Sequence, residues 1–151
     1  MDIFDLKIIE SLERDGRQSF ADLASDVGLS KTPCWSRVQA LEKTGVIRGY
    51  RADVNPALLG LGVFAIVQVM IDFSRRNEFE QAVLNSPAIL ECYTTVGEAD
   101  YLLKVACKDL DSLDDLLRHT LTPLPGVQRS TTMLCLKTVK SNTIISKLIS
   151  V

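Results

Sequence analysis

The chain is short of the residues on which metal and acid–base chemistry depends. It has one histidine, His119, and four cysteines, Cys34, Cys92, Cys107 and Cys135, with no C-x-x-C pair among them. A lone imidazole and scattered thiols offer no ligand set at metal-site spacing. Each cysteine lies in an apolar or amphipathic context, as buried free thiols do. No catalytic residue, metal or cofactor is therefore expected, and the thiols read as reduced, in the cytoplasm. A basic leader is missing too, since the chain opens with the acidic MDIFDLK, where a signal peptide would be basic. There is no long apolar run. Val63–Ile71 is the longest, is broken by Gln68, and is far shorter than the roughly 20 residues that span a bilayer. Membrane association is not expected.

An overall positive charge is also absent, the net value being −2, which counts against a simple nucleic-acid binder. The distribution reverses that impression. Between Gly28 and Arg51 the cations are Lys31, Arg37, Lys43, Arg48 and Arg51, against Glu42 alone. A basic face on an otherwise acidic protein orients it on phosphates and limits non-specific sticking. A plain cluster of solvated cations is the alternative reading. With 151 residues, 46% apolar and 24% charged, the chain is a folded protein of one domain or two small ones.

The organising stretch is Ser19–Lys43, SFADLASDVGLSKTPCWSRVQALEK. Ser19 is placed to cap a helix, with Asp22 three residues on as a short form of the capping box. Phe20, Leu23, Ala24 and Val27 follow at helical spacing, and Gly28 is placed to end the helix in a left-handed conformation. Ser30 is expected to cap a second helix, with Pro33 in its first turn. At 100° per residue, Cys34, Val38 and Leu41 form its buried stripe. Thr32, Ser36, Gln39 and Lys43 point the other way, with Trp35 and Ala40 on the flanks. That pattern outlines a helix-turn-helix whose second helix enters the DNA major groove. Lys31, Thr32, Ser36, Arg37, Gln39, Lys43, Arg48 and Arg51 are the candidate DNA contacts. Gln39 is the best base reader, because its amide can pair bidentately with adenine.

A first helix is expected over Asp2–Arg14, with Leu6, Ile9 and Leu12 on one face, Phe4 and Ile8 beside it, and Asp15-Gly16 ending it. After the second helix of the pair comes Gly45 as C-cap. VIRGYRADV then reads as extended, a wing or a bridging strand. Asn55-Pro56, Gly60 and Gly62 mark a linker over residues 55–61, separating a DNA-binding domain (1–54) from a second domain (62–151). That second part reads as a strand buried on both faces (Val63–Phe73), a helix (Asn77–Asn85), strands at Ile89–Val96 and Tyr101–Lys108, a helix capped by Asp111 (Leu110–Leu121), a strand at Val127–Val139, and an apolar tail from Asn142. The class is α+β: a winged-type helix-turn-helix followed by a ferredoxin-like β-α-β-β-α-β domain. Val63, Val67, Val69, Met133 and Cys135 are expected on the open sheet face, too apolar to leave wet. A second copy is the simplest cover, and the dimer would present two reading helices to a near-palindromic site.

D-G-R (15–17), DVGLSKTPCWSRVQALEKTGVI (26–47), Asn55-Pro56, ECYTTVGEADYLLK (91–104) and L-P-G-V (124–127) together resemble the Lrp/AsnC, or feast/famine, transcription regulators over essentially the whole chain. The resemblance implies an N-terminal DNA-binding domain, a dimerising C-terminal domain, assembly of dimers into octamers or similar rings, and a small effector, usually an amino acid, bound in clefts between dimers. Gly97 and Asp100 match the family's G-x-x-D turn, whose neighbourhood forms the effector pocket. Thr94, Thr95 and Val96 lead into it, and Thr120, Thr132 and Leu134 lie at positions used near the same cleft. A carboxylate at Asp100 suits an α-ammonium group; a hairpin turn with a capping aspartate is the plainer reading. Two other functions stay open. Some relatives of this architecture look like tetrapyrrole decarboxylases, which should want several histidines, and an effector-independent nucleoid protein would bind DNA without responding to a ligand.

Overall fold

The computed structural model describes residues 1–141 and 144–149. It divides into two compact units: one is Met1–Asp53 together with the tail from Lys140 onward, the other Val54–Val139.

The first unit is a three-helix domain, α1 (Ile3–Arg14), α2 (Phe20–Val27) and α3 (Lys31–Lys43). Asp2 starts α1 with a full capping box: its carboxylate accepts from the Phe4 and Asp5 N–H groups, and its own N–H donates to Asp5. Ser19 caps α2 through the Asp22 N–H, and Gly28 ends it at φ 75°, a conformation that costs glycine little. Ser30 holds the N-cap position of α3, but its side chain makes no cap hydrogen bond. Ile8, Leu23, Ala24, Val27, Cys34, Val38 and Leu41 form the core, with Ile9, Leu12, Leu29 and Ile47 packed on it. Ile8, expected beside the buried face of α1, is its fully buried centre. The buried Ser11 is satisfied by Asp26 at 2.6 Å and by Gln18, which ties α1 to α2. Residues 46–54 pair with no strand; Ile47 anchors them by packing on the core and donating its N–H to the Leu41 carbonyl.

The tail returns to this unit, a correction to its placement in the second domain. Glu13 grips the start of a 3-10 turn, Ile145–Leu148, accepting from the Ile145 and Ser146 N–H groups and the Ser146 hydroxyl at 2.8, 3.1 and 2.6 Å. Residues 142, 143 and 150 of the expected apolar tail lie outside the described residues.

The second unit opens with a 3-10 turn, Pro56–Leu59, in the expected linker. It continues with β1 (Val63–Ile71), α4 (Arg76–Leu84), β2 (Ile89–Thr94), β3 (Tyr101–Cys107), α5 (Leu110–Leu116) and β4 (Val127–Cys135). The four strands form one antiparallel sheet in the order β2-β3-β1-β4, the β-α-β-β-α-β arrangement read from the sequence. Asp109, not Asp111, caps α5, accepting from the Ser112 N–H and hydroxyl. The helix then widens into a π turn over Leu117–Leu121, and β4 stops four residues before the expected Val139.

Strand β1 is not buried on both faces. Ala65, Val67, Val69 and Ile71 are buried with Leu103, Val105, Phe79, Val83, Leu113 and Leu121 on the helix side, whereas Phe64, Ile66 and Gln68 are half-buried and Met70 exposed. Directly paired residues share a face, and the register matches Phe64 with Cys135 and Ile66 with Met133. Val67 and Val69 therefore face the helices, and Val63 is packed on that core. The open face carries Phe64, Ile66, Met70, Leu102, Tyr93, Met133 and Cys135. The expectation was right for the last two residues and wrong in parity for the three valines.

Candidate DNA-binding and effector sites

Helix α3 buries Cys34, Val38 and Leu41 and leaves its other side to solvent. Lys31, Thr32, Ser36, Gln39 and Lys43 are all exposed there, and so are Arg48 and Arg51 beyond the helix. Among the described residues Lys31, Lys43, Arg48 and Arg51 form no ion pair. Unpaired exposed cations keep their full charge for phosphate oxygens. The segment after α3 is held close to it: the Tyr50 hydroxyl donates to Glu42 at 2.9 Å. Burial first, then that carboxylate, pushes the Tyr50 phenol up to about 12.

Arg37 departs from the expected set. Its Nη1 lies 2.7 Å from Asp5 and 2.8 Å from Asp2, and the guanidinium stands 5.6 Å from the centre of the Phe4 ring. The hydrogen bond to Asp5, then that to Asp2, raises its already high pKa. Two carboxylates at the start of α1 neutralise it, so Arg37 braces α3 against α1. Gln39 is also engaged, its side-chain N–H donating to Glu42 at 3.0 Å. Glu42 thus takes up both Gln39 and Tyr50 on that flank of α3. Trp35, on the same flank, is half exposed.

In the second unit the expected effector residues fall into two groups. Thr94 ends β2; Thr95, Val96 and Gly97 form the turn into β3, with Gly97 at φ 149° and Val96 fully exposed. The turn is closed by Thr95, whose N–H donates to the Asp100 carbonyl and whose hydroxyl donates to the Ala99 carbonyl. Asp100 is the post between this turn and β1: its N–H donates to Val69, and its carboxylate accepts from Ile71 at 2.9 Å. The Ile71 N–H sits where the β1–β4 register shifts, between Met70 and Ile71. One oxygen of Asp100 is therefore engaged by the backbone, which is the capping role of the plainer reading. Thr132 and Leu134 lie on β4 opposite Val67 and Ala65, one and two pairs further along the helix side of the sheet. Thr120 is half-buried on the π turn, and among the described residues no hydrogen bond joins it to the G-x-x-D turn.

A small hollow of about 60 Å³ opens beside that turn on the open face, lined by Gln68, Met70, Glu98, Ala99, Arg129 and Thr131. It brings one carboxylate and one guanidinium to the same place. Only the register makes these residues neighbours, since Gln68 pairs with Thr131 and Met70 with Arg129; reading along the chain missed them for that reason. The turn itself, E-A within G-E-A-D, was the one available signal.

Comparison with known proteins agrees with both units. Residues 64–145 match the Lrp/AsnC ligand binding domain, and residues 1–48 match a winged helix-turn-helix DNA-binding domain. The leucine-responsive regulatory protein of Haemophilus influenzae is 41% identical over 143 residues, 93% of this chain and 86% of its own length. A transcriptional regulator of Neisseria meningitidis, solved with L-methionine, superposes with a TM-score of 0.93 at 32% identity, covering 99% of both chains. The feast or famine regulatory protein of M. tuberculosis, also with L-methionine, gives 0.87 at 31% identity over 93% of this chain and 95% of its own.

Proposed function

The chain belongs to the Lrp/AsnC family of transcription regulators, and we propose that in the cytoplasm it binds operator DNA as a dimer under the control of an amino acid. The first unit is its helix-turn-helix DNA-binding domain, the second its ligand-binding domain. Lys31, Lys43, Arg48 and Arg51 hold phosphates on either side of α3, while Thr32, Ser36 and Gln39 face the bases. The second copy covers the open sheet face, where Phe64, Ile66, Leu102 and Met133 form an apolar centre; assembly of dimers into an octamer or similar ring extends from there.

The effector sits beside the Thr94–Asp100 turn, and its being an amino acid is supported by the two relatives solved with L-methionine. Arg129 takes its carboxylate by a charge-assisted pair and Glu98 its ammonium, with Gly97 allowing close backbone approach. Asp100 supports the site by fixing the turn to β1, while Thr120, on the π turn, and Thr132 and Leu134, on the helix side of the sheet, are outside the lining of this hollow.

The observation that carries the DNA reading is the group of exposed, unpaired cations around α3. It is tested by titrating labelled duplex at increasing salt. Affinity is expected to fall linearly in log–log form, and Arg48→Ala or Arg51→Ala should each flatten the slope by roughly one unit while weakening all sequences alike. Affinity that ignores salt contradicts the assignment.

A further inference from the structure

We propose that Trp35 is a specificity-determining residue, its indole packing on the C5-methyl group of a thymine in the major groove. The inference rests on the DNA-binding reading above and concerns how one base is told from another.

Trp35 is 50% exposed and belongs to neither buried cluster. Among the described residues its indole N–H has no hydrogen-bond acceptor, and it follows Cys34, the centre of the buried stripe, by one position. At 100° per residue it projects about 40° from Gln39, on the flank of α3 between the buried stripe and the outward set. The opposite flank, marked by Arg37, is closed off by Asp2 and Asp5. Polar readers on α3 are weaker than the sequence pattern suggested, because Arg37 is neutralised and the Gln39 amide is drawn to Glu42. Thr32 and Ser36 are short. The longest unengaged side chain between the phosphate-binding Lys31 and Lys43 is therefore an indole.

A large apolar plate left half in water on a helix surface loses the stabilisation that burial would bring. Charge selects what covers it. Lys31 and Lys43 on the same helix are unpaired, and Glu42, the one acid nearby, is occupied by Gln39 and Tyr50. A duplex fits that surface better than a protein partner of ordinary composition. Among the four bases only thymine combines an apolar group with an adjacent acceptor, O4, on its major-groove edge. Those two features match the apolar face and the single N–H donor of indole.

The test uses the full-length protein and a duplex recovered by selection from a random-sequence pool. Each thymine is replaced in turn by deoxyuridine, which removes the methyl group and leaves every hydrogen-bonding group in place. At one position per half-site the replacement should weaken wild type by about fourfold, the worth of one buried methyl-sized group, and should leave Trp35→Ala unaffected. Trp35→Phe, which keeps an apolar plate, should restore most of the sensitivity. Trp35 is also the only tryptophan of the chain, so its emission should become protected from acrylamide when the duplex binds. If duplex binds with a steep salt slope but no deoxyuridine matters to wild type, or the same one matters equally to Trp35→Ala, the Trp35 assignment is overturned while the DNA reading stands. Unchanged quenching on saturation with duplex overturns it as well. Failure to recover any duplex brings down both.

Discussion

Arg37, Arg48 and Arg51 are one residue type in one small unit, yet their surroundings give them different work. Arg37 meets Asp2 and Asp5 at hydrogen-bond distance, while Arg48 and Arg51 are exposed without ion-pair partners among the described residues. Arg37→Ala is expected to lower the thermal midpoint and leave the salt slope of DNA binding unchanged, the reverse of Arg48→Ala. No local pattern reveals this, because the carboxylates that claim Arg37 lie at the far end of the unit's sequence. Asp100 teaches the same lesson. Its motif was legible, but its partner, the Ile71 N–H, belongs to a strand reached only through the sheet. Asp100→Ala leaves that N–H unsatisfied and should cost about 1–3 kcal/mol in urea melts. Asp100→Asn keeps an acceptor oxygen and should cost clearly less. Equal losses for the two would remove the backbone-post role.

At the scale of elements, legibility follows contrast in the pattern. The Cys34, Val38 and Leu41 stripe could be read because polar residues surround it, and Gly28 could be read because few residues tolerate its φ. Strand β1 is apolar at almost every position, so alternation carried no mark of which face was inward, and a one-residue slip exchanges the faces completely. The N-cap of α5 was missed between two aspartates two residues apart, Asp109 and Asp111, with only the first at the right geometry. The tail was missed because its anchor is remote. Glu13 binds it through three donors, and against the opposing effect of burial those hydrogen bonds, the Ser146 hydroxyl first, hold its carboxyl below the ordinary range. A depressed folded-state pKa means that this stabilisation is present above the unfolded value, about 4.5, and is lost as pH falls through the lower folded value. The protection of Ile145 and Ser146 amides, taken relative to the intrinsic exchange rate at each pH, should therefore fall on acidification below that value. In Glu13→Ala it should be low at neutral pH as well. Protection that persists in Glu13→Ala would show that the carboxylate does not hold the tail.

For the whole molecule, two properties could be inferred from the chain: two units with different periodicities, and a sheet with one uncovered face. Which residues make that face depended on register. Ile66, paired with Met133 on one side and Lys104 on the other, sits at its centre, so Ile66→Asp should convert the proposed dimer to monomer in light scattering while the fold is retained. A dimer of unchanged stability would move the interface elsewhere. The proposed regulation joins a ligand in the second unit to DNA held by the first, and linkage requires the effect to be reciprocal. The most direct test measures affinity for the selected duplex at fixed salt with each of the twenty amino acids in turn, on wild type and Arg129→Ala. At least one amino acid should shift wild-type affinity by about five-fold or more, a typical coupling. Arg129→Ala should keep the amino-acid-free affinity and lose the shift. If all twenty leave wild-type affinity unchanged, or the shift survives in Arg129→Ala, the effector site beside the Thr94–Asp100 turn is contradicted.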